Sequence, residues 1–209
     1  FKALAELYDD EVAPEAEPTR QRALYLELGA VHRHHTGDLL HALQAFVVAR
    51  DWERAIEVAG LHPADATLGL SVVERLRELS VAAYQAEKTP EALAAADWAV
   101  QELSERRLER GEFELVVSEL LDAAKLPFSS TRQRELRRDA ACLCSDRLGD
   151  NQSAIQLFNE LLAEEPGDEV ARASVTRLSL LLEEQGLHAE IVTLWESQAK
   201  ARQERGDSA

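Results

Sequence analysis

Residues 19–46 read TRQRALYLELGAVHRHHTGDLLHALQAF, and residues 131–158 read TRQRELRRDAACLCSDRLGDNQSAIQLF. The two stretches align without a gap at an offset of 112 residues and are identical at ten of their 28 positions. The offset is close to three times 37 residues, and a repeat period in the thirties is typical of proteins built from pairs of short helices. The sequence therefore predicts an all-α chain of helix–turn–helix repeats that stack into a solenoid.

Local signals place the helices within each repeat. Leu28 and Val31 lie at helical spacing, and Gly37 then interrupts the chain before Asp38 starts a second helix. Asp38 and the aligned Asp150 are predicted N-caps, because an aspartate side chain can accept hydrogen bonds from the free N–H groups of a first turn. Further signals are Thr89-Pro90-Glu91, a cap with proline at the first helical position, and the stop–start signal Pro166-Gly167-Asp168. Period-two alternation is missing, so no strand is predicted.

The positions that recur resemble the tetratricopeptide repeat family, whose pattern is an apolar pair, a small residue, an aromatic, a turn glycine, an alanine, an aromatic and another alanine. The resemblance implies an α-solenoid with a right-handed superhelix. Clear units span about 22–50, 73–100 and 134–166, and degenerate units lie near 51–60, 104–126 and 174–200. The matching residues are Leu28, Gly29, Gly37, Ala42, Phe46 and Ala49 in the first clear unit, Leu76, Leu79, Ser80, Ala92, Ala96 and Ala99 in the second, and Ala141, Gly149, Ala154, Phe158 and Pro166 in the third.

The chain departs from the family pattern in several places. His32 and Cys144 stand where the family usually has tyrosine, and Ile191 and Trp195 replace the alanine and the aromatic of the last unit. The spacing of equivalent positions is also too short for a full repeat near residue 50 and near residue 104. Either two helices run on there without the usual turn, or loop residues of the natural chain are missing, which is the interpretation we favour.

The first eighteen residues precede the repeats. Apolar residues recur at helical spacing from the start of the sequence, and methionine is absent altogether. We therefore expect residues 1–18 to be a partial helix and linker of an excised fragment, and residues 19–209 to be the repeat array.

Composition limits the classes of partner. The chain has 39 acidic and 23 basic residues, a formal net charge of −16, which repels phosphate backbones and anionic membranes. No stretch approaches the roughly 18 uncharged apolar residues of a membrane span. Cys142 and Cys144 lie two apart in a predicted helix, which suits neither a disulfide nor a metal clip, so we expect core thiols and a reducing compartment. The frequent use of alanine and arginine is, by analogy, typical of bacterial cytoplasmic repeat proteins.

Four of the six histidines, His32, His34, His35 and His41, lie within ten residues. His32 and His35 share a helix face at a spacing that can ligate zinc or nickel, but a structural zinc site needs about four ligands and no cysteine or carboxylate joins them in sequence. We interpret the cluster as incidental surface histidines and predict no metal and no other cofactor. No phosphate-binding loop, nucleophile motif or catalytic carboxylate pair stands out, so no enzyme is predicted.

The resemblance also implies where a partner would bind. In the family, the first helices of successive units line a concave groove that holds an extended or helical segment of another protein. The groove positions in this sequence are Leu26, Ala30, Arg33 and His34, then Arg77, Val81, Tyr84 and Gln85, and finally Arg138, Cys142, Ser145 and Asp146. The lysines and asparagines with which some members clamp a carboxylate-ended chaperone tail are missing here, so that ligand is not expected.

Among the groove positions, Leu26 and Tyr84 would offer apolar contact, and Arg77 and Arg138 would pair with acidic groups of the partner. The predicted function is therefore that of a non-catalytic cytoplasmic adaptor or scaffold that binds another protein, with no nucleic acid or membrane as partner. The alternative is a homo-oligomeric scaffold that self-associates through its end repeats, because an end repeat exposes the face that a neighbour would cover. The tryptophans, Trp52, Trp98 and Trp195, are predicted to be core residues rather than partner anchors.

Overall fold

The computed structural model describes residues 17–63, 65–165, 168–204 and residue 206. The regular secondary structure of this part is entirely helical and includes no strand, which confirms the predicted all-α class. The helices are α1 Pro18–Val31, the π-helical turn π1 His32–Thr36, α2 Leu39–Val48, α3 Trp52–Ala59, α4 Ala66–Glu87, α5 Pro90–Glu109, α6 Phe113–Ala123, α7 Ser130–Leu143, the π-helical turn π2 Cys144–Leu148, α8 Asn151–Glu164, α9 Glu169–Glu184 and α10 His188–Glu204. The predicted partial helix and linker at 1–18 lie almost wholly outside the described residues.

Two compact units divide the chain, unit 1 up to Arg106 and unit 2 from Arg107. In unit 1 the buried apolar side chains of α2, α3, α4 and α5 form one core. In unit 2 the core comes from α7, π2, α8, α9 and α10. Full burial of a large apolar side chain contributes about 1.5–3 kcal/mol, so each unit has its own source of stability.

The sequence repeat is also a structural repeat. When α1 and π1 are shifted by 112 residues, their first and last residues coincide with the first and last residues of α7 and π2. Both π-turns end at a glycine in the left-handed backbone region, Gly37 with φ +70° and Gly149 with φ +66°. A side chain is strained at that φ, and glycine therefore lets the chain reverse after one short turn.

Both predicted N-caps at the start of the second helix are confirmed. The Asp38 carboxylate accepts a hydrogen bond from the backbone N–H of His41, and Asp150 accepts one from Ser153, each at 3.1 Å. The hydrogen bonds from Ser153 hold the pKa of Asp150 below its ordinary value. The two hairpins therefore share their stop signal and their start signal.

Two further start signals have different outcomes. Pro90 is the first residue of α5, but the Thr89 hydroxyl is buried without a hydrogen-bond partner in the described part of the chain, so the predicted side-chain cap is wrong. Proline at the first helical position lacks an N–H, which leaves the first turn with one unsatisfied donor fewer. Asp168 caps α9 by accepting from the N–H of Ala171 at 2.6 Å, while residues 166–167 lie outside the described residues.

Small residues let the helices of a hairpin pack closely. Ala42 and Ala154 are fully buried. A β-carbon at Gly29 would lie 2.7 Å from Cε1 of Phe46, which is itself fully buried and cannot easily move aside in a close-packed core. Phe46 therefore packs directly over Gly29 within its own hairpin.

The two short spacings are accommodated in different ways. Arg50 has φ +59°, and the N–H of Asp51 donates to the carbonyl of Phe46 at 2.9 Å, which closes α2 with a left-handed C-terminal turn. At Ser104 the helix α5 runs on unbroken, and the Ser104 hydroxyl donates to the carbonyl of Val100 at 2.9 Å. Both short spacings are therefore accommodated by the residues of the given sequence. The interpretation that loop residues of the natural chain are missing remains a prediction.

A buried arginine fastens helix ends together in unit 2. The Arg134 guanidinium on α7, with only 3% of the side chain exposed, donates to the carbonyls of Leu161 at 2.8 Å and Glu165 at 3.1 Å, and to the Asp168 carboxylate at 2.6 Å. The last carbonyls of a helix have no partner within that helix. One side chain therefore satisfies the end of α8 and anchors the residue that caps α9.

In unit 1 an arginine on a different helix links helix ends in a similar way. The Arg106 guanidinium on α5 donates to the carbonyl of Gly69 at 2.9 Å and to that of Ala59 at 3.0 Å. Its Nε donates to Glu102 at 2.7 Å, one turn earlier on the same helix. Arg106 therefore connects the end of α3 and the first turn of α4 to α5.

Candidate partner-binding surfaces

The predicted groove positions on α1 and π1 differ in their accessibility. Leu26 is half-buried and packs against the core of unit 1. The Arg33 guanidinium donates to Glu57 on α3 at 2.6 Å, so its charge is already matched within the unit. His34 is exposed. In this part of the predicted set, His34 is the side chain most accessible to a partner.

The predicted positions on α4 follow one another at helical spacing. Arg77, Val81 and Tyr84 are half-buried, and Gln85 is exposed. Tyr84 packs against the core of unit 1, and the Lys88 ammonium lies 5.0 Å from the centre of its ring, a cation–π distance. The apolar contact that Tyr84 would offer a partner is therefore partly used inside unit 1.

Unit 2 brings predicted positions together with a residue that sequence reasoning missed. Ser145 in π2 donates to the carbonyl of Cys142 at 3.0 Å and accepts from Arg177 on α9 at 3.3 Å. Arg177 also forms an ion pair with Asp146. Arg138, one turn before Cys142 on α7, donates to its neighbour Asp139 at 2.8 Å. We call Arg138, Cys142, Ser145, Asp146 and Arg177 the arginine surface.

Two partly exposed guanidinium groups define the chemistry of the arginine surface. The side chains of Arg138 and Arg177 are 32% and 40% exposed. Burial is the largest single influence on the pKa of Arg138 and would lower it, but the hydrogen bond to Asp139 and the negative charges of Asp139, Cys142 and Glu135 together raise that pKa above the usual range. Both guanidinium groups are already paired with a carboxylate of unit 2, Arg138 with Asp139 and Arg177 with Asp146, so a carboxylate of a partner would share or replace these contacts.

The two cysteines do not add a nucleophile to this surface. Burial raises the pKa of the Cys142 thiol, and the Asp139 carboxylate raises it further. Burial also raises the pKa of Cys144, together with Asp150. Because the thiolate is the reactive form, both thiols are held in the less reactive state. Both are free. Cys144 is buried in the core of unit 2 as predicted, whereas Cys142, also predicted as a core thiol, is half-buried and packs against that core.

The histidine cluster is split between the surface and the interior. His32 is buried, its Nδ1 lies 3.2 Å from the Thr36 hydroxyl, and its ring stacks on that of His41 with centroids 5.3 Å apart. His41 in turn contacts the Asp38 carboxylate through Nδ1 at 2.7 Å. The interpretation of His32 as a surface residue is wrong, because the π-turn directs it into unit 1. In the described part of the chain, no three histidine, cysteine or acidic side chains are arranged to hold a metal ion.

The three tryptophans also differ in burial. Trp52 is buried and Trp98 packs against the core of unit 1, as predicted. Trp195 on α10 is 46% exposed, so the prediction that it is a core residue is wrong. It lies one turn after Val192, which is 57% exposed, and the two side chains share a face of the helix. The last described helix therefore presents apolar groups to solvent.

A cleft of about 580 Å³ lies between α8 and α10 in unit 2. The two helices pack on α9 rather than on each other. Leu162, Leu182 and Leu194, one from each of the three helices, line the cleft together with polar side chains of α10. Sequence reasoning did not predict this cleft.

Comparison with known proteins adds no family assignment, because no protein-family model matches the sequence and no curated protein is significantly similar to it. None of the described helices is long and apolar enough to cross a membrane. The structural evidence about function therefore comes from the surfaces of the two units.

Proposed function

We propose that this chain is a non-catalytic protein-interaction module of the tetratricopeptide-like type, a cytoplasmic adaptor or scaffold that binds a segment of another protein. The observation that carries the proposal is the arginine surface. Ser145, a predicted groove position, accepts a hydrogen bond from Arg177 and donates one to the carbonyl of Cys142, which lies one turn after the predicted groove residue Arg138 on α7. Three separate elements, α7, π2 and α9, contribute to this surface.

The charges on this surface favour a partner segment with a small number of carboxylates. An arginine–carboxylate contact on a partly exposed surface contributes about 0.2–1 kcal/mol, and the two arginines offer two such contacts. The net charge of −16 opposes association with strongly acidic segments. A segment with one or two acidic residues among neutral or apolar ones therefore suits the surface, whereas nucleic acid does not.

The test is a capture experiment with charge-reversed baits. The full chain, the double variant Arg138→Glu/Arg177→Glu and the control Arg172→Glu are incubated with extract of cells that express the protein. Arg172 is exposed on α9 and lies outside the arginine surface. We expect a partner that the wild-type chain and the control retain and the double variant loses, with at least about tenfold weaker binding once the partner is purified. Equal retention by all three baits would contradict the proposal.

Self-association is the second candidate function, and the exposed Val192 and Trp195 on α10 favour it. Exposed aromatic side chains commonly anchor interfaces. Sedimentation velocity over a range of concentrations would show an oligomer that Trp195→Ser weakens. A monomer at all concentrations would leave the adaptor as the remaining proposal.

A further inference from the structure

The cleft between α8 and α10 has an apolar floor that continues the core of unit 2. Leu162, Leu182 and Leu194 line it and also belong to that core. Its walls include the small residues Ala163 and Ala201. Because the distance between packed helices depends on the side chains at the contact, these alanines allow another helix to approach the floor closely.

The rim of the cleft is acidic at both ends. Glu190 and Glu204 line the cleft and stand fourteen residues apart on α10, a separation of about 21 Å at 1.5 Å per residue. At 3.6 residues per turn they lie on nearly the same side of the helix. Lys200 lies 4.0 Å from Glu204, while among the described residues no cation is paired with Glu190. The rim therefore carries more negative than positive charge along a length of about four helical turns.

From these features we propose that the cleft binds an amphipathic helix of a partner protein, with lysine or arginine beside its apolar face. The lining of the cleft extends about 21 Å along α10 from Glu190 to Glu204, which matches the length of a helix whose apolar residues recur every third or fourth position along one side. The acidic rim selects the cationic flanks, and the chain's overall negative charge accelerates their approach. This surface shares no residue with the arginine surface, so the inference goes beyond the function proposed above.

A peptide probe tests the proposal directly. The probe is a fluorescein-labelled peptide of about eighteen residues, with leucine along one helical face and lysine and glutamine elsewhere. A matched peptide has glutamate in place of each lysine. Fluorescence anisotropy is measured with the full chain at near-physiological salt. We expect the lysine peptide to bind at least about tenfold more tightly than the glutamate peptide, and equal affinities would overturn the proposal.

Matched variants locate the binding. Ala163→Trp fills the cleft, and Glu190→Lys reverses its unpaired end. The controls are Ala199→Trp and Glu196→Lys, at exposed positions of α10 outside the cleft. Circular dichroism verifies that all four variants keep their helical content.

We expect each cleft variant to weaken binding of the lysine peptide by at least about fivefold and each control by less than about twofold. If Glu196→Lys weakened binding as much as Glu190→Lys, the peptide would be following net charge, and the proposal would be wrong. The double variant of the arginine surface should bind the peptide within about twofold of the wild-type chain, which keeps this test separate from that of the proposed adaptor function.

Discussion

Replacing Arg134 by alanine should destabilise unit 2 strongly, whereas the same change at Arg22 should have little effect. The two arginines occupy equivalent positions in the repeated Thr-Arg-Gln-Arg motif. Arg134 is buried and fastens α8 to α9, but Arg22 is exposed. The pair therefore compares one residue type, in one sequence context, with and without tertiary contacts.

The magnitude follows from the partners that Arg134 would leave behind. The Leu161 and Glu165 carbonyls would each lose a hydrogen bond from a charged donor, a loss of about 1.5–3 kcal/mol per bond. The Glu165 side chain is 63% exposed, so water replaces most of its ion pair and we assign it little. The expected loss is about 3–6 kcal/mol for Arg134→Ala and less than about 0.5 kcal/mol for Arg22→Ala.

Urea unfolding followed by circular dichroism would measure the total change in the free energy of unfolding. Hydrogen exchange followed by mass spectrometry would then locate it, since the loss of protection should fall on peptides from α8 and α9 and leave α1 and α2 unchanged. Arg134→Lys should retain part of the stability, because an ammonium keeps the charge but not the forked geometry. If Arg134→Ala cost less than about 1 kcal/mol, the reasoning from buried helix ends would be refuted.

Three other perturbations have expected outcomes in the same assays. Gly29→Ala should destabilise unit 1 by about 1 kcal/mol, because the strain against Phe46 exceeds the gain in helix propensity; a stabilised variant would show that the ring moves aside. Asp150→Ala should cost about 1 kcal/mol while Asp150→Asn costs less, and equal losses would contradict a capping role. The hydrogen bond from Arg137 lowers the pKa of Glu164 from its ordinary value of 4.5, so this pair stabilises the fold above that pH and loses its effect as the pH falls through the lowered pKa. The urea midpoint of Arg137→Gln should therefore lie below that of the wild-type chain at pH 7, and the difference should shrink as the pH falls below 4.5 through the lowered pKa of Glu164; a difference that did not shrink in acid would exclude the ion pair as its cause.

Part of the arginine surface could be predicted from the sequence, and part could not. Arg138 and Ser145 were predicted because the family pattern assigns groove positions once the third clear sequence repeat, at about 134–166, is aligned. Arg177 was missed, because Ile191 and Trp195 depart from the family pattern and obscure the alignment of the last sequence repeat, near 174–200. The cleft was missed for a different reason: it exists because α8 and α10 both pack on α9 and stay apart, which no local pattern encodes.

The sequence by itself determined the helical class, the repeated hairpin and its stop and start signals. Gly37 and Asp38, like their counterparts 112 residues later, act through backbone conformation and hydrogen bonds to nearby residues, so their effect can be read locally. Only the tertiary structure decided which of two identical arginines is buried, because burial depends on carbonyl groups of α8, a separate helix about 27–31 residues further along the chain. The same holds for Trp195, whose exposure depends on which neighbouring helices cover α10 and not on its own helical spacing.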